Sequence, residues 1–149
     1  MRIGVPFVLA AATAAILGAV APALAQDAAR IIAERREGLR GVQTEMEAMV
    51  AIARAGGDPR PAAERAARVQ AFFQNFPDRF PPGTDTGDTR ALPGVWQNRA
   101  AFLEAYAALG PRLAELRTAA ESGTPAAFAA AVQATGGACA NCHRQFRAR

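Results

Sequence analysis

The residues able to do chemistry in this chain are concentrated near its end. Only two cysteines and one histidine occur among 149 residues, and all three fall in Cys139-Ala140-Asn141-Cys142-His143. On a helix this spacing puts both thiols on one turn, where they can reach the two vinyl groups of one porphyrin and bond to them as thioethers. The adjacent imidazole then serves the metal as an axial ligand. C-x-x-C-H is therefore read as a haem c attachment signature, with Cys139 and Cys142 as covalent anchors and His143 on the iron. Two other chemistries use similar residues. A thiol–disulfide oxidoreductase carries C-x-x-C at the opening of a helix in a strand-containing fold. A structural zinc site needs a fourth ligand, and the chain has no further Cys or His to supply it.

The sixth coordination position cannot be filled by a second imidazole, because His143 is the only histidine. Met46 and Met49 are the remaining sulfur donors once Met1 is set aside. Methionines on an apolar helical stripe are commonly core filler. Either would ligate iron if the haem lay beside it, so spacing alone leaves the low-spin alternative open.

Four helical segments position these groups. The first spans about 28–54 and stops at Gly56-Gly57, with Ile32, Leu39, Val42, Met46 and Met49 on its inner stripe. Arg35 falls on the same stripe, so it must snorkel outward or meet an anion. The second starts near Arg60, tolerates Pro61 in its first turn, buries Ala62, Ala66, Val69, Phe73 and Phe76, and ends at Pro77. A long loop rich in proline and glycine follows to Gly94. The third runs from about Val95 to Ala120 with Trp96, Phe102, Tyr106, Leu109, Leu113 and Leu116 inward, and Gly110-Pro111 should kink or split it. The fourth opens at Thr124-Pro125 and places Phe128, Val132, Thr135, Cys139, Cys142, His143 and Phe146 on one face. No strand pattern appears, so the expected class is all-α, an antiparallel up-down-up-down four-helix bundle.

The N-terminal stretch is set apart from the fold. Met1-Arg2 gives a charged start, the residues to Val20 are apolar or small, and Ala21-Pro22-Ala23-Leu24-Ala25 is an A-x-A site. That order is a secretory signal peptide over 1–25, leaving 26–149 as one exported domain in the periplasm. An uncleaved anchor is the weaker reading, since Pro6, Pro22 and the alanines make a poor span and no later segment is apolar enough. The formal net charge is +4, and every basic residue is arginine. These arginines are scattered among acids, which argues against nucleic acid as a partner.

The mature sequence resembles the class II c-type cytochromes, and in particular the cytochrome c′ family, over nearly its whole length. The resemblance rests on a haem motif near the end of the last helix followed by Phe146-Arg147. It rests also on Phe80-Pro81-Pro82-Gly83-Thr84-Asp85, continuing through Ala91-Leu92-Pro93 to Trp96. By position, Arg35-Arg36-Glu37-Gly38-Leu39 matches the family's segment on the first helix. The resemblance implies Arg35 near a haem propionate, Arg36 where many relatives have glutamine, and Leu39 in the distal position. It further implies Arg147 close to His143, and Thr84 and Asp85 at the haem edge. With leucine in place of methionine above the metal, it implies one covalent haem with five-coordinate, high-spin iron. Such relatives bind NO and CO or carry electrons to redox partner proteins, without catalysis, and the family is often dimeric through its first two helices.

Overall fold

The computed structural model describes the backbone of residues 14–149 and the side chains from Ala25 onward, so the charged start and most of the apolar run of the expected leader lie outside the described residues. The first helix, α1 (Ala14–Ala55), begins well before Ala28. Alanine, the strongest helix former, recurs at Ala25, Ala28, Ala29 and Ala33 and carries the helix back past Ala28, and Pro22 lies within it. Its C-terminal stop is the expected one: Gly56 takes a φ of +66°, a conformation that suits glycine.

Pro61 sits in a 3-10 turn, Arg60–Ala62, that leads into α2 (Ala63–Phe73). This helix is one turn shorter than expected. Gln74 becomes extended, Asn75 adopts a left-handed φ of 55°, and a second 3-10 turn, Phe76–Arg79, follows. Asparagine tolerates that conformation better than most residues. Phe76 remains buried, but from the turn rather than from the helix.

The third segment is broken twice, giving α3 (Gly94–Gln97), α4 (Arg99–Ala107) and α5 (Leu109–Ser122). The second break is the effect anticipated from Pro111, which has no N–H to offer Ala107 O. The first comes from Asn98, whose side chain accepts from Ala101 N at 3.4 Å and caps α4. The last helix, α6 (Pro125–Phe146), starts with proline as expected, although the Thr124 hydroxyl makes no capping bond.

Each long element packs on two others: α1 on α2 and α6, and α5 on α2 and α6. That closed ring is an antiparallel four-helix bundle, with no strand among the described residues. The sole sheet-like contact among the described residues is an antiparallel bridge between Ala91 and Arg147. Two apolar clusters fill the interior. One, toward the Gly56 end, contains Met49, Val69, Leu113, Leu116, Phe128 and Val132. The other is aromatic and gathers Phe76, Phe80, Val95, Phe102 and Phe146.

Candidate haem site

Because α1 and α6 run in opposite directions, the two clusters sort the expected site residues. Cys142 and Leu39 both pack against the aromatic cluster, whereas Cys139 and Met46 pack against the other, which has Met49 in its middle. Leu39 thus packs in the same cluster as Cys142, and Met46 in the same cluster as Cys139. Met46 is two helical turns from Leu39 along α1, about 10 Å at the helical rise.

Both cysteines are free and half-buried. Burial pushes their thiols up, Cys139 by desolvation and Cys142 by desolvation and then by the neighbouring Cys139. They also sit in the last turns of α6, where the helix dipole further disfavours a thiolate. An oxidoreductase requires the opposite, a thiolate stabilised at a helix start. His143 is exposed, so the expectation that it would face the core beside the phenylalanines is not met. Its pKa is nonetheless lowered, first by the protein that displaces water from one side of the ring, then by Arg147 and Arg90. Its neutral form, which is the one that binds metal, is favoured.

Arg35 is the least expected interior residue, at 2% exposure. One guanidinium nitrogen donates to Arg79 O at 2.9 Å and to Thr84 Oγ1 at 3.3 Å. The other donates to Thr84 O at 3.3 Å and to Thr89 Oγ1 at 2.8 Å, and the group stacks over Phe80 at 4.3 Å. No carboxylate is among these partners. Desolvation therefore lowers its pKa with no charge to offset it. Arg36 differs, being bound by the Asp88 carboxylate and, at 3.1 Å, by the Asp88 carbonyl.

Thr84 and Asp85 point different ways. Thr84 is buried, donating to Pro81 O at 2.8 Å, while Asp85 is exposed and lines an open groove of about 650 Å³ with Phe80, Pro81, Trp96 and Arg99. Arg147 is exposed and continues from the end of α6, where Leu92 N donates to Phe146 O at 2.9 Å and Ala148 N to Arg90 O at 2.8 Å.

Five contributors were not foreseen. Thr89 completes the Arg35 cage, and Arg90 acts on His143 beside Arg147. Phe72 lies against Gly38, where an added Cβ would come within 2.1 Å of its Cε2. Arg79 stacks on Phe72 at 4.6 Å and Arg99 on Phe102 at 5.1 Å, each keeping one buried nitrogen without a partner, Nε in Arg79 and Nη1 in Arg99. Glycine beside Leu39 was the one available signal for Phe72, while the others depend on a loop path that periodicity does not reveal.

These residues fit a haem by donor chemistry. Two free thiols lie one turn apart, an imidazole favoured in its neutral form follows, an apolar aromatic cluster adjoins them, and a buried cation lacks an anion. A helical bundle with that set at the end of its last helix defines a c-type cytochrome of the bundle class. A family model described as Cytochrome C′ matches residues 30–147. The chain belongs to the cytochrome c′ family, whose members carry one covalently bound haem c with iron.

Cytochrome c′ of Rhodospirillum rubrum is 31% identical over 139 residues, covering 92% of this chain and 95% of that protein. Cytochrome c-556 of Agrobacterium tumefaciens (strain II Chrys) is 36% identical over 118 residues, covering 76% and 94%. Among solved structures, cytochrome c′ from Rubrivivax gelatinosus superposes with a TM-score of 0.73 at 32% identity, covering 79% of this chain and 94% of that one.

Proposed function

We propose that this protein is a non-catalytic periplasmic haem protein with five-coordinate, high-spin iron, which carries electrons or binds NO and CO. Cys139 and Cys142 would hold the haem covalently, and His143 would ligate its iron. Bound haem supplies one-electron redox chemistry and an open position for a small diatomic ligand. Everything else is done by side chains. Leu39 has no lone pair to donate, and its bulk excludes larger ligands from the distal side. Arg35 supplies the buried positive charge for a propionate, whereas Arg36 contributes less because Asp88 already neutralises it. Thr84 and Asp85 border the haem edge. Arg147 holds a positive charge beside His143 and so tunes the iron's potential.

The observation that carries this reading is that Leu39 shares the aromatic cluster with Cys142, while Met49 is wholly buried in the other cluster and Met46 packs there with Cys139. Export rests on the leader pattern of residues 1–25, whose removal leaves 26–149. Among the described residues no helix is long and apolar enough to cross a membrane. Absorption and electron paramagnetic resonance spectra of the ferric and ferrous protein, with and without NO, test the assignment. A high-spin ferric signal and a stable NO adduct are expected. A sulfur–iron charge-transfer band in the ligand-free ferric protein would instead assign Met46 or Met49 as the sixth ligand.

A further inference from the structure

The arginines of this chain fall into distinct sets. Arg30, Arg36, Arg40, Arg60, Arg65, Arg68, Arg112 and Arg117 all form ion pairs with carboxylates. Arg35, Arg79 and Arg99 are wholly or partly buried and stack on aromatic rings. Five more among the described residues are exposed with no ion pair: Arg54, Arg90, Arg144, Arg147 and Arg149. No acidic residue precedes Asp27, so residues 1–26 hold no carboxylate side chain for them.

Four of those five converge on one place. Arg144 follows His143 directly, and its guanidinium donates only to the neutral Asn141 Oδ1, at 2.8 Å. The bridge between Ala91 and Arg147, with the bond from Ala148 N to Arg90 O, fastens the backbones of Arg90 and Arg147 beside that helix end, and Arg149 follows one residue beyond Ala148. The nearest acid along the loop, Asp88, is already taken by Arg36. Arg54 is the exception, at the far end of α1. From Arg35 to Arg54 the helix rises nearly 30 Å, well beyond the Debye length of about 8 Å at physiological salt.

Like charges gathered at one point repel one another, and the sequence has enough carboxylates to have paired them, as it does elsewhere. An unneutralised cationic face therefore marks a contact where the opposite charge is supplied by another molecule. Among the described residues the only exposed large hydrophobic one is Leu103, on α4, so the cluster has no apolar anchor for a bilayer beside it.

We propose that Arg90, Arg144, Arg147 and Arg149 form the docking face for an acidic redox protein, placed so that electrons enter and leave beside His143. This rests on the electron-carrying reading above. In each encounter one electron crosses between the two proteins and no bond forms or breaks. Acidic side chains on the partner replace the carboxylate side chains that the cluster lacks.

The test uses the haem-loaded protein and two small oxidants of opposite charge. One electron passes from the reduced protein to hexacyanoferrate(III), which becomes hexacyanoferrate(II), or to the cationic tris(phenanthroline)cobalt(III), which becomes its cobalt(II) form. Stopped-flow rates are measured from low to high salt. Hexacyanoferrate(III) should react about tenfold faster at low salt than at high salt, and the cobalt complex should show the reverse trend. Arg144→Glu should slow the anionic oxidant several-fold and speed the cationic one, while Arg54→Glu, an equal change in charge, should alter neither by more than about 1.5-fold. Poly-aspartate should compete with the anion in wild type and much less in Arg144→Glu. Equal effects of the two variants, or rates independent of salt, would overturn the docking face while leaving the haem assignment intact. Cosedimentation with phosphatidylglycerol-rich vesicles that is lost in Arg144→Glu, without competition by poly-aspartate, would overturn it in favour of a lipid surface. Protein that bears no reducible haem would instead defeat the underlying reading.

Discussion

Replacing Arg35 by methionine removes the clamp that holds the segment from Arg79 to Thr89. Two of its four acceptors keep other bonds, since Thr84 Oγ1 still donates to Pro81 O and Thr89 Oγ1 still accepts from Ala91 N. The carbonyls of Arg79 and Thr84 are the groups that lose their partner. A buried carbonyl left unsatisfied costs about 1–3 kcal/mol, and the lost stacking on Phe80 adds about 1 kcal/mol. Relief of the buried charge offsets part of this, leaving a net loss of about 2 kcal/mol. For a domain of this size that lowers Tm by about 8 °C. Arg35→Lys should do no better, because one ammonium cannot span four acceptors and still carries a buried charge. Thermal unfolding followed by circular dichroism measures the loss, and limited trypsin digestion after Arg79 reports the freed loop. If both variants melt within about 2 °C of wild type and are cleaved no faster, the clamp has been misread.

Other perturbations separate the remaining contributions. Leu39→Met should give six-coordinate, low-spin iron, and an unchanged high-spin resonance in that variant would remove Leu39 from the distal position. Gly38→Ala drives a methyl into Phe72, so despite alanine's better helix propensity the variant should be less stable by about 1–2 kcal/mol in urea unfolding. A more stable variant would mean that the ring moves aside freely. Arg68 and then Arg65 hold the Glu45 carboxyl below its usual value of 4.5. A depressed carboxylate contributes stability above that value and loses it as pH falls through the lower folded pKa. Wild type should therefore lose more stability than Glu45→Gln on acidification below about pH 4.5, and parallel acid-unfolding curves would contradict this. Cys139→Ser and Cys142→Ser should each leave one thioether and the double variant none, read from intact mass after extraction with acidified acetone.

The sequence was most informative where one residue type dictates one backbone outcome. Pro125 opened α6, Gly56 closed α1, and Pro111 separated α5 from α4, all for local reasons. Apolar spacing likewise marked Ile32, Met49, Leu113, Leu116 and Phe128 as interior. Local signals failed where weaker formers decided the path. Asn75 turned left-handed and took Phe76 out of α2, and Asn98 used its side chain to restart a helix that periodicity had carried through. The residues proposed for attachment stand out because Cys139, Cys142 and His143 fall within five positions of one another. The Arg35 cage was only half legible. A charged residue on an apolar stripe announces a buried partner, yet Arg79, Thr84 and Thr89 reach it through the fold of a loop.

The bridge that joins Ala91 to Arg147 bears on how quickly such a protein can trade charge. The last turn of a terminal helix ordinarily frays, and the His143 ring, proposed above as the iron ligand, would wander with it. Here the strand-like grip of Leu92 on Phe146 and of Ala148 on Arg90 anchors that turn to a second, distant stretch of chain. His143 is then steadied from both directions, like a page held at its spine and its edge. A centre whose surroundings stay put as its oxidation state changes has little to rearrange, and that stillness favours fast exchange.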